Sequence, residues 1–439
     1  MVRTVAARIV KEETYMDDVH SGADSVEDAI EAQQQLKQLL GQGGCPIHKW
    51  CSNSPEFLEH IPVEDQEKRI TLEEHGVNEA IKVLGLFWDP SADSILIAYC
   101  PNSTLHLQRP TKRTMYSEIA KFFDPLELVS PVIVLAKLLA QKLWQLKSRW
   151  DDPVDEDIAQ QWRQLQDSLS HLHEIEIPRR VTMDNVVAYE LHGFSDASNK
   201  AYLFIFLRSS FGDGSAKLRL FTSKSKLAPL KELSIPRKEL CAALLLTRLV
   251  QKVSPALDMT FREIVLWCDS TVVLAWIKKP LNQLQLFVRN RIAIIQEHTS
   301  KYRWEYVRSQ QNPADIVSRG QLVESLKHSS LWWNGPEFLQ RVEYYVDAPE
   351  DVPDEKLPEL KALVAGPDVS MDFLSFLPKL SNFRKIQRVV GYVLRFTANC
   401  RKKDPTNREI KPRIKPYLVA ERKIRHPIYH TPVREMLPD

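Results

Sequence analysis

Between residues 186 and 320 the apolar positions change their period in a definite order. Residues 186–194 are apolar enough for a strand, Tyr-Leu-Phe-Ile-Phe-Leu at 202–207 is an unbroken run of strand length, and 218–222 reads as a third strand. A helical rhythm follows. From Glu239 the chain reads Glu-Leu-Cys-Ala-Ala-Leu-Leu-Leu-Thr-Arg-Leu-Val, a helix apolar enough to be buried against a sheet, and Pro236 suits its start. Residues 264–268 lack polar alternation and predict a buried strand, 270–278 and 287–299 continue as helices, and 304–307 is a short fifth strand. Asn312-Pro313 then turns the chain into a last helix. Upstream, Ser25 and Asp28 read as a capping box for a helix with apolar Ala29, Ile30, Leu36, Leu39 and Leu40, ending at Gly41, Gly43 and Gly44. Residues 132–150 predict an amphipathic helix.

Four carboxylates sit at the joints of this pattern. Asp196 (in Phe-Ser-Asp-Ala-Ser) and Asp269 (in Leu-Trp-Cys-Asp-Ser) close strands, while Glu239 (in Pro-Arg-Lys-Glu-Leu) and Asp315 (in Asn-Pro-Ala-Asp) open helices. In α/β sheets ligands gather at the carboxyl ends of strands. Hard cations take oxygen ligands, and two of them about 3.5–4 Å apart drive in-line phosphodiester hydrolysis. Each residue alone has an ordinary reading: a turn aspartate for Asp196, an N-cap pair for Asp269 and Ser270, a solvated helix position for Glu239, a dipole partner for Asp315. All four in this order point to one metal-dependent site.

The motifs carry a specific resemblance. Phe-Val-Arg-Asn-Arg-Ile-Ala-Ile-Ile-Gln-Glu-His-Thr from Phe287, Trp-Glu-Tyr-Val-Arg-Ser-Gln-Gln-Asn-Pro-Ala-Asp-Ile-Val-Ser-Arg-Gly from Trp304 and Leu-Trp-Trp-Asn-Gly-Pro from Leu331 resemble the ribonuclease H segment of BEL/Pao-type LTR retrotransposon Pol polyproteins. The likeness is dense over residues 5–345. It implies a ribonuclease H-like mixed five-stranded sheet flanked by helices, and two Mg²⁺ (or Mn²⁺) ions held by the positions Asp196, Glu239, Asp269 and Asp315. It implies an RNA·DNA hybrid as substrate, with RNA told from DNA through its 2′-hydroxyls. Ser223, Lys224, Arg289 and Arg291 are candidate contacts to the nucleic-acid backbone. Many relatives carry a histidine in the loop before the last aspartate; here that loop reads Val-Arg-Ser-Gln-Gln-Asn to Asn312, so no histidine base is assigned.

Thr-Tyr-Met-Asp-Asp, with Tyr15, Met16, Asp17 and Asp18, resembles the polymerase hairpin of reverse transcriptases, where paired aspartates present carboxylate to Mg²⁺. The stretches His48 to Asn53 and Lys82 to Trp88 resemble palm elements of the family. A polymerase site needs a further aspartate and the fingers, so DNA synthesis by this chain alone is not expected. Within the helical region Asp124-Pro-Leu resembles a family motif that continues with glycine, where this chain has Glu127. Lys137, Lys142, Lys147 and Arg149 read as a solvated face before a nucleic-acid contact. That segment resembles one associated with a Pao-type peptidase, but an aspartic protease needs Asp-Thr-Gly or Asp-Ser-Gly, and neither triplet occurs.

Composition adds three things. At 439 residues and 44% hydrophobic content several cored domains are expected, and no apolar stretch reaches membrane-spanning length. Six scattered cysteines without zinc spacing read as reduced thiols in an intracellular protein, in a cytoplasmic particle or the nucleus. Net charge is +2, yet residues 379–439 hold 16 Lys/Arg against 5 Asp/Glu, suited to a polyanionic partner. The expected organisation is an α/β multidomain chain: a partial reverse transcriptase palm (1–100), a helical connection region (101–182), a ribonuclease H-like domain (183–325), a linker (326–375) and a basic helical pre-integrase segment (376–439). Expected partners are the hybrid and the remainder of Pol, upstream fingers and palm and downstream integrase, with no membrane. The alternative is a catalytically inactive nucleic-acid-binding remnant of a decayed or domesticated element.

Overall fold

The computed structural model describes residues 5–68, 70–72, 77–83, 85–99, 109–197, 200–227, 233–257, 259–346 and 351–361, with Arg388, Gly391, Tyr392 and Phe396. The chain divides into two compact units, Met1–Lys361 and Ala362–Asp439. In the second unit the four described positions are helical, and the basic pre-integrase segment otherwise lies outside the described residues.

The central sheet of the first unit has five strands: β1 (Val186–Ala197), β2 (Lys200–Phe211), β3 (Ala216–Leu227), β4 (Glu263–Cys268) and β5 (Arg303–Tyr306). Their order is β3-β2-β1-β4-β5. The three long strands form an antiparallel meander, β4 runs parallel to β1, and β5 parallel to β4. Helices α1 (Ile235–Ala256), α2 (Thr271–Lys278), α3 (Leu286–Thr299) and α4 (Pro313–Arg319) follow in the expected order. This is the mixed five-stranded, ribonuclease H-like arrangement.

Why 203–207 and 264–267 show no polar alternation is plain in the packing: both faces of the sheet are covered. Phe194, Phe204, Phe206, Val265 and Trp267 turn to one side, into a core shared with the helices before β1 and with Val317, Trp332 and Leu339. Leu191, Leu203, Ile205, Leu207, Ile264 and Leu266 turn to the other, against Leu246 and Val250 of α1. Burying an aliphatic or aromatic side chain stabilises by roughly 1.5–3 kcal/mol, so these two layers dominate the fold's favourable term.

Three boundaries differ from expectation. β2 and β3 are longer than their apolar runs, because the ladder continues through Arg208, Ser209 and Ser210, which are buried although polar. Helix α1 begins at Ile235, with Pro236 in its first turn, so Glu239 stands one turn inside rather than opening it. The helix expected over 132–150 is Ser130–Gln145, stopped where Lys147 takes a left-handed φ of 53°. Upstream lie the hairpin Thr14–Tyr15 with Asp18–Val19, the helix Val26–Gln42 capped by Ser25, and an antiparallel sheet of Ile70–Leu72, Val77–Val83, Leu86–Asp89, Ser94–Leu96 and Ile177–Pro178. The helices Lys112–Ile119, Ser130–Gln145 and Glu156–Leu169 lie in sequence between the last two of those strands.

Edge strand β3 is covered. Ser223 N–H donates to Leu126 O at 2.9 Å, and the Thr222 hydroxyl to the same oxygen at 2.9 Å. Glu127 accepts from the Ser225 N–H (2.6 Å) and hydroxyl (2.7 Å). An exposed edge is a template for unwanted pairing, and this segment removes it. Glu127 does so with a φ of 51°, the backbone state glycine adopts freely. Its carboxylate bonds across the seam.

Candidate active site

Sheet register sets the first two carboxylates. Ser195 on β1 is level with Cys268 on the parallel neighbour β4, so Asp196 and Asp269 each stand one residue beyond that pair on strands about 4.8 Å apart. Glu239 enters from α1. Ser270 ties it in: its hydroxyl donates to Glu239 Oε2 at 2.5 Å and accepts from Val273 N–H as the N-cap of α2. The N-cap reading of Ser270 and the site reading of its neighbours are therefore both true, because one hydroxyl serves both.

Asp315 is placed by Asn312. The Asn312 side chain donates to Ser195 O at 3.2 Å and accepts from Ala314 N–H at 3.1 Å, so it caps α4 while holding that helix to the end of β1. Asp315 N–H bonds Asn312 O at 3.0 Å, and its carboxylate pairs with Arg319 at 3.0 Å. In the loop that lacks histidine, the Ser309 hydroxyl donates to Asp269 Oδ2 at 2.9 Å. Ser270, Ser309 and Asn312 went unnoticed in the sequence as holders of these carboxylates; an Asn before Pro at a helix start was the available signal.

Electrostatics show that the four groups feel one another. The Asp196 carboxyl is pushed up to about 7, first by burial and then by the charges of Asp269, Asp315 and Glu239. Burial and Asp269 raise Glu239 against the Ser270 hydrogen bond. Burial also raises Asp269, with Asp315 adding to it and Ser309 opposing it. Like charges in a half-buried site hold stored repulsion that a divalent cation relieves, and the donors are all hard oxygens, so the set fits Mg²⁺ or Mn²⁺. Among the described residues, however, no three His, Cys, Asp or Glu side chains stand in ion-holding geometry as placed.

The other candidates are dispersed. The Ser223 hydroxyl is buried and spent on Glu127 O and Ser130 Oγ, the latter at 2.8 Å. This corrects its expected role, since edge-strand packing takes the group away from solvent. Lys224 is exposed and pairs with Glu127 at 2.7 Å. On α3, Arg289 is half-buried and Arg291 stacks over Phe287 at 3.6 Å. Tyr15, Met16, Asp17 and Asp18 form an exposed hairpin whose turn residue Met16 has φ 56°. Cys45, Cys51, Cys241 and Cys268 are free thiols. Among the described residues no helix is long and apolar enough to cross a membrane.

Residues 111–270 match the family model for the Pao retrotransposon-like RNaseH-like domain. That description covers the helical segment from residue 111, for which the sequence offered no aspartic protease triplet. Among solved structures, the chain is similar to the foamy viral protease-reverse transcriptase in complex with double-stranded DNA, at 14% identity and TM-score 0.34, over 57% of this chain and 47% of that one. It thus spans about half of that protein. It is similar to the N-terminal RNase H domain of rv2228c from Mycobacterium tuberculosis (14% identity, TM-score 0.21, 31% of this chain and 96% of that one). It is also similar to RNase H1 from Halobacterium salinarum (16%, 0.17, 32% and 99%). No curated protein matches.

Proposed function

We propose that the chain, which matches a Pao retrotransposon-like RNaseH-like domain over residues 111–270, is part of a Pao-type retroelement Pol sequence and hydrolyses the RNA strand of RNA·DNA hybrids. The observation that carries this reading is the mutual charge effect among Asp196, Glu239, Asp269 and Asp315 at the carboxyl ends of β1 and β4. These four would hold a pair of divalent ions, Mg²⁺ or Mn²⁺, which supply an activated water and stabilise the leaving 3′-oxygen. The chain's own groups do the positioning. Ser270 aims Glu239, Ser309 aims Asp269, and Asn312 fixes the helix bearing Asp315 against β1. Selection of RNA would come from contacts to 2′-hydroxyls. Lys224, Arg289 and Arg291 are proposed to meet the nucleic-acid backbone, and the Tyr15–Asp18 hairpin is proposed as part of a polymerase palm completed elsewhere in Pol. The domain limits at 100, 182, 325 and 375 are proposed with it.

A second reading, a binding remnant without catalysis, is favoured by one observation: no three donors yet stand in ion-holding geometry among the described residues. One experiment separates the two. The purified chain and its Asp269→Asn variant are incubated with labelled hybrid and Mg²⁺. Hydrolysis by the parent, with the variant at least about 100-fold slower, is expected, as losing one transition-state electrostatic contact costs 10²–10³. Equal cleavage by both, or none by either, refutes the catalytic assignment.

A further inference from the structure

Residues 351–361 form a strap laid over α2, the start of α3 and the first turn of α1. Gln285 N–H donates to Glu359 O at 2.9 Å, Lys361 N–H to Gln283 O at 2.8 Å, and Trp276 Nε1 to Pro358 O at 2.8 Å. Leu357 is buried among Leu284, Val288 and Trp276, and Lys279 pairs with Asp354 at 2.5 Å. At the centre, Glu359 adopts a left-handed φ of 63°. Its Oε1 takes both Nε (2.7 Å) and Nη2 (2.6 Å) of Arg237.

The surroundings of that ion pair do not match a carboxylate well. The Arg237 guanidinium lies 4.7 Å from the Phe287 ring centre, and Arg291 lies 3.6 Å from the same ring. Two cations share one aromatic. Arg291 Nη1 is satisfied by Phe287 O at 2.9 Å, but its Nε is buried without a hydrogen-bond partner, and so is Glu359 Oε2. An unmet buried donor or acceptor costs about 1–3 kcal/mol, so a natural site tolerates such a pair only for a reason. Glu359 engages Arg237 through one oxygen and leaves its second oxygen and the Arg291 Nε unmet, and a phosphate taken by the guanidiniums would release Glu359 Oε2 to solvent. Guanidinium forks held on an aromatic face are suited to phosphate.

Arg237 stands in the first turn of α1, two residues before Glu239 and on a different face of the helix, so the subsite lies on a separate surface from the side that Glu239 presents. We propose that Arg237, Phe287 and Arg291 form a subsite for a backbone phosphate of the hybrid, and that Glu359 of the strap is its internal competitor, covering the subsite until nucleic acid displaces it. The inference rests on the hydrolase reading for the identity of the nucleic acid, and not on the chain being able to cleave it.

The test is a titration of full-length chain against a fluorescent RNA·DNA hybrid in EDTA, with cleavage in Mg²⁺ followed separately. Glu359→Gln is expected to bind about fivefold tighter, the worth of a partly buried ion pair. Arg237→Gln and Arg291→Gln are expected to weaken binding and to lower the slope of log affinity against log salt by about 0.9 each. Arg237→Glu combined with Glu359→Arg rebuilds the strap contact and is expected to leave binding weak. Unchanged hybrid affinity in Glu359→Gln, with a lower melting temperature, makes the strap a structural brace and overturns the inference. Stabilisation of Glu359→Gln by inorganic phosphate alone, without tighter hybrid binding, overturns the nucleic-acid assignment. Tighter binding by Glu359→Gln with no cleavage by any form leaves the subsite standing and removes the catalytic reading; cleavage by the parent with no affinity change does the reverse.

Discussion

Replacing Asp196 by Asn tests whether the four carboxylates truly share one field. The Asp196 carboxyl is raised from 3.8 to about 7 by burial, then by Asp269, Asp315 and Glu239. Three pH units at about 1.36 kcal/mol each give a ceiling of roughly 4 kcal/mol. The group is half-buried, so solvent screening reduces this to roughly 2 kcal/mol. The fold prefers the neutral acid. Stability is therefore whole below the unfolded value near 3.8, is lost as pH rises, and carries the full penalty above about 7. The Asn variant, neutral at every pH, is expected to be more stable than the parent in EDTA by roughly 2 kcal/mol at pH 8, several degrees in Tm, and by about half of that at pH 4.5. Adding Mg²⁺ at pH 8 should raise the parent's Tm and leave the variant's nearly unmoved. Thermal melts at the two pH values decide it: no gain at pH 8, or an equal gain at both, refutes the shared field.

Other predictions concern the frame around the site. Glu190 is buried, which pushes its carboxyl up, but His192, Arg208 and Arg262 outweigh this and hold it down to about 2. Its contribution is present above pH 4.5 and lost as pH falls through about 2, so Glu190→Gln should flatten acid unfolding in that window. Arg208→Met, which also abandons the carbonyls of Leu339, Arg341 and Val342, should cost about 3–5 kcal/mol in urea unfolding. At the β3 seam, Glu127→Ala should destabilise by about 1–3 kcal/mol through the unmet Ser225 donors, and Glu127→Gly by about 1 kcal/mol less, since glycine relieves the φ of 51°. A smaller loss from Ala than from Gly would show that the backbone there is unstrained. Gly193→Ala would bring a Cβ to 2.9 Å from Leu246 and 3.0 Å from Leu266, and should cost about 1–3 kcal/mol by the same measurement.

Much of the fold was legible because burial writes itself into composition. A strand covered on both faces cannot alternate, so 202–207 and 264–268 declared themselves central, and Pro236 and Asn312-Pro313 marked helix starts that α1 and α4 confirm. The four acidic candidates were legible too, as residues at strand ends and helix starts. Strand lengths were not. Arg208, Ser209 and Ser210 look like the end of an apolar run, yet the ladder buries them, and Glu190 and the carbonyls of a segment about 130 residues later receive Arg208.

The chain's local chemistry thus determined which segments form strands and helices and which positions face inward. Tertiary structure alone decided their use. Ser223 read as a free polar group and is sealed by Leu126 and Glu127; Ser309, an unremarkable loop serine, reaches Asp269; Glu359, in a proline-bearing stretch that read as linker, takes hold of Arg237. Each of these depends on groups 40 to 122 positions apart meeting within about 3 Å, and periodicity, which reports only whether a position is wet or dry, holds no record of which partner arrives.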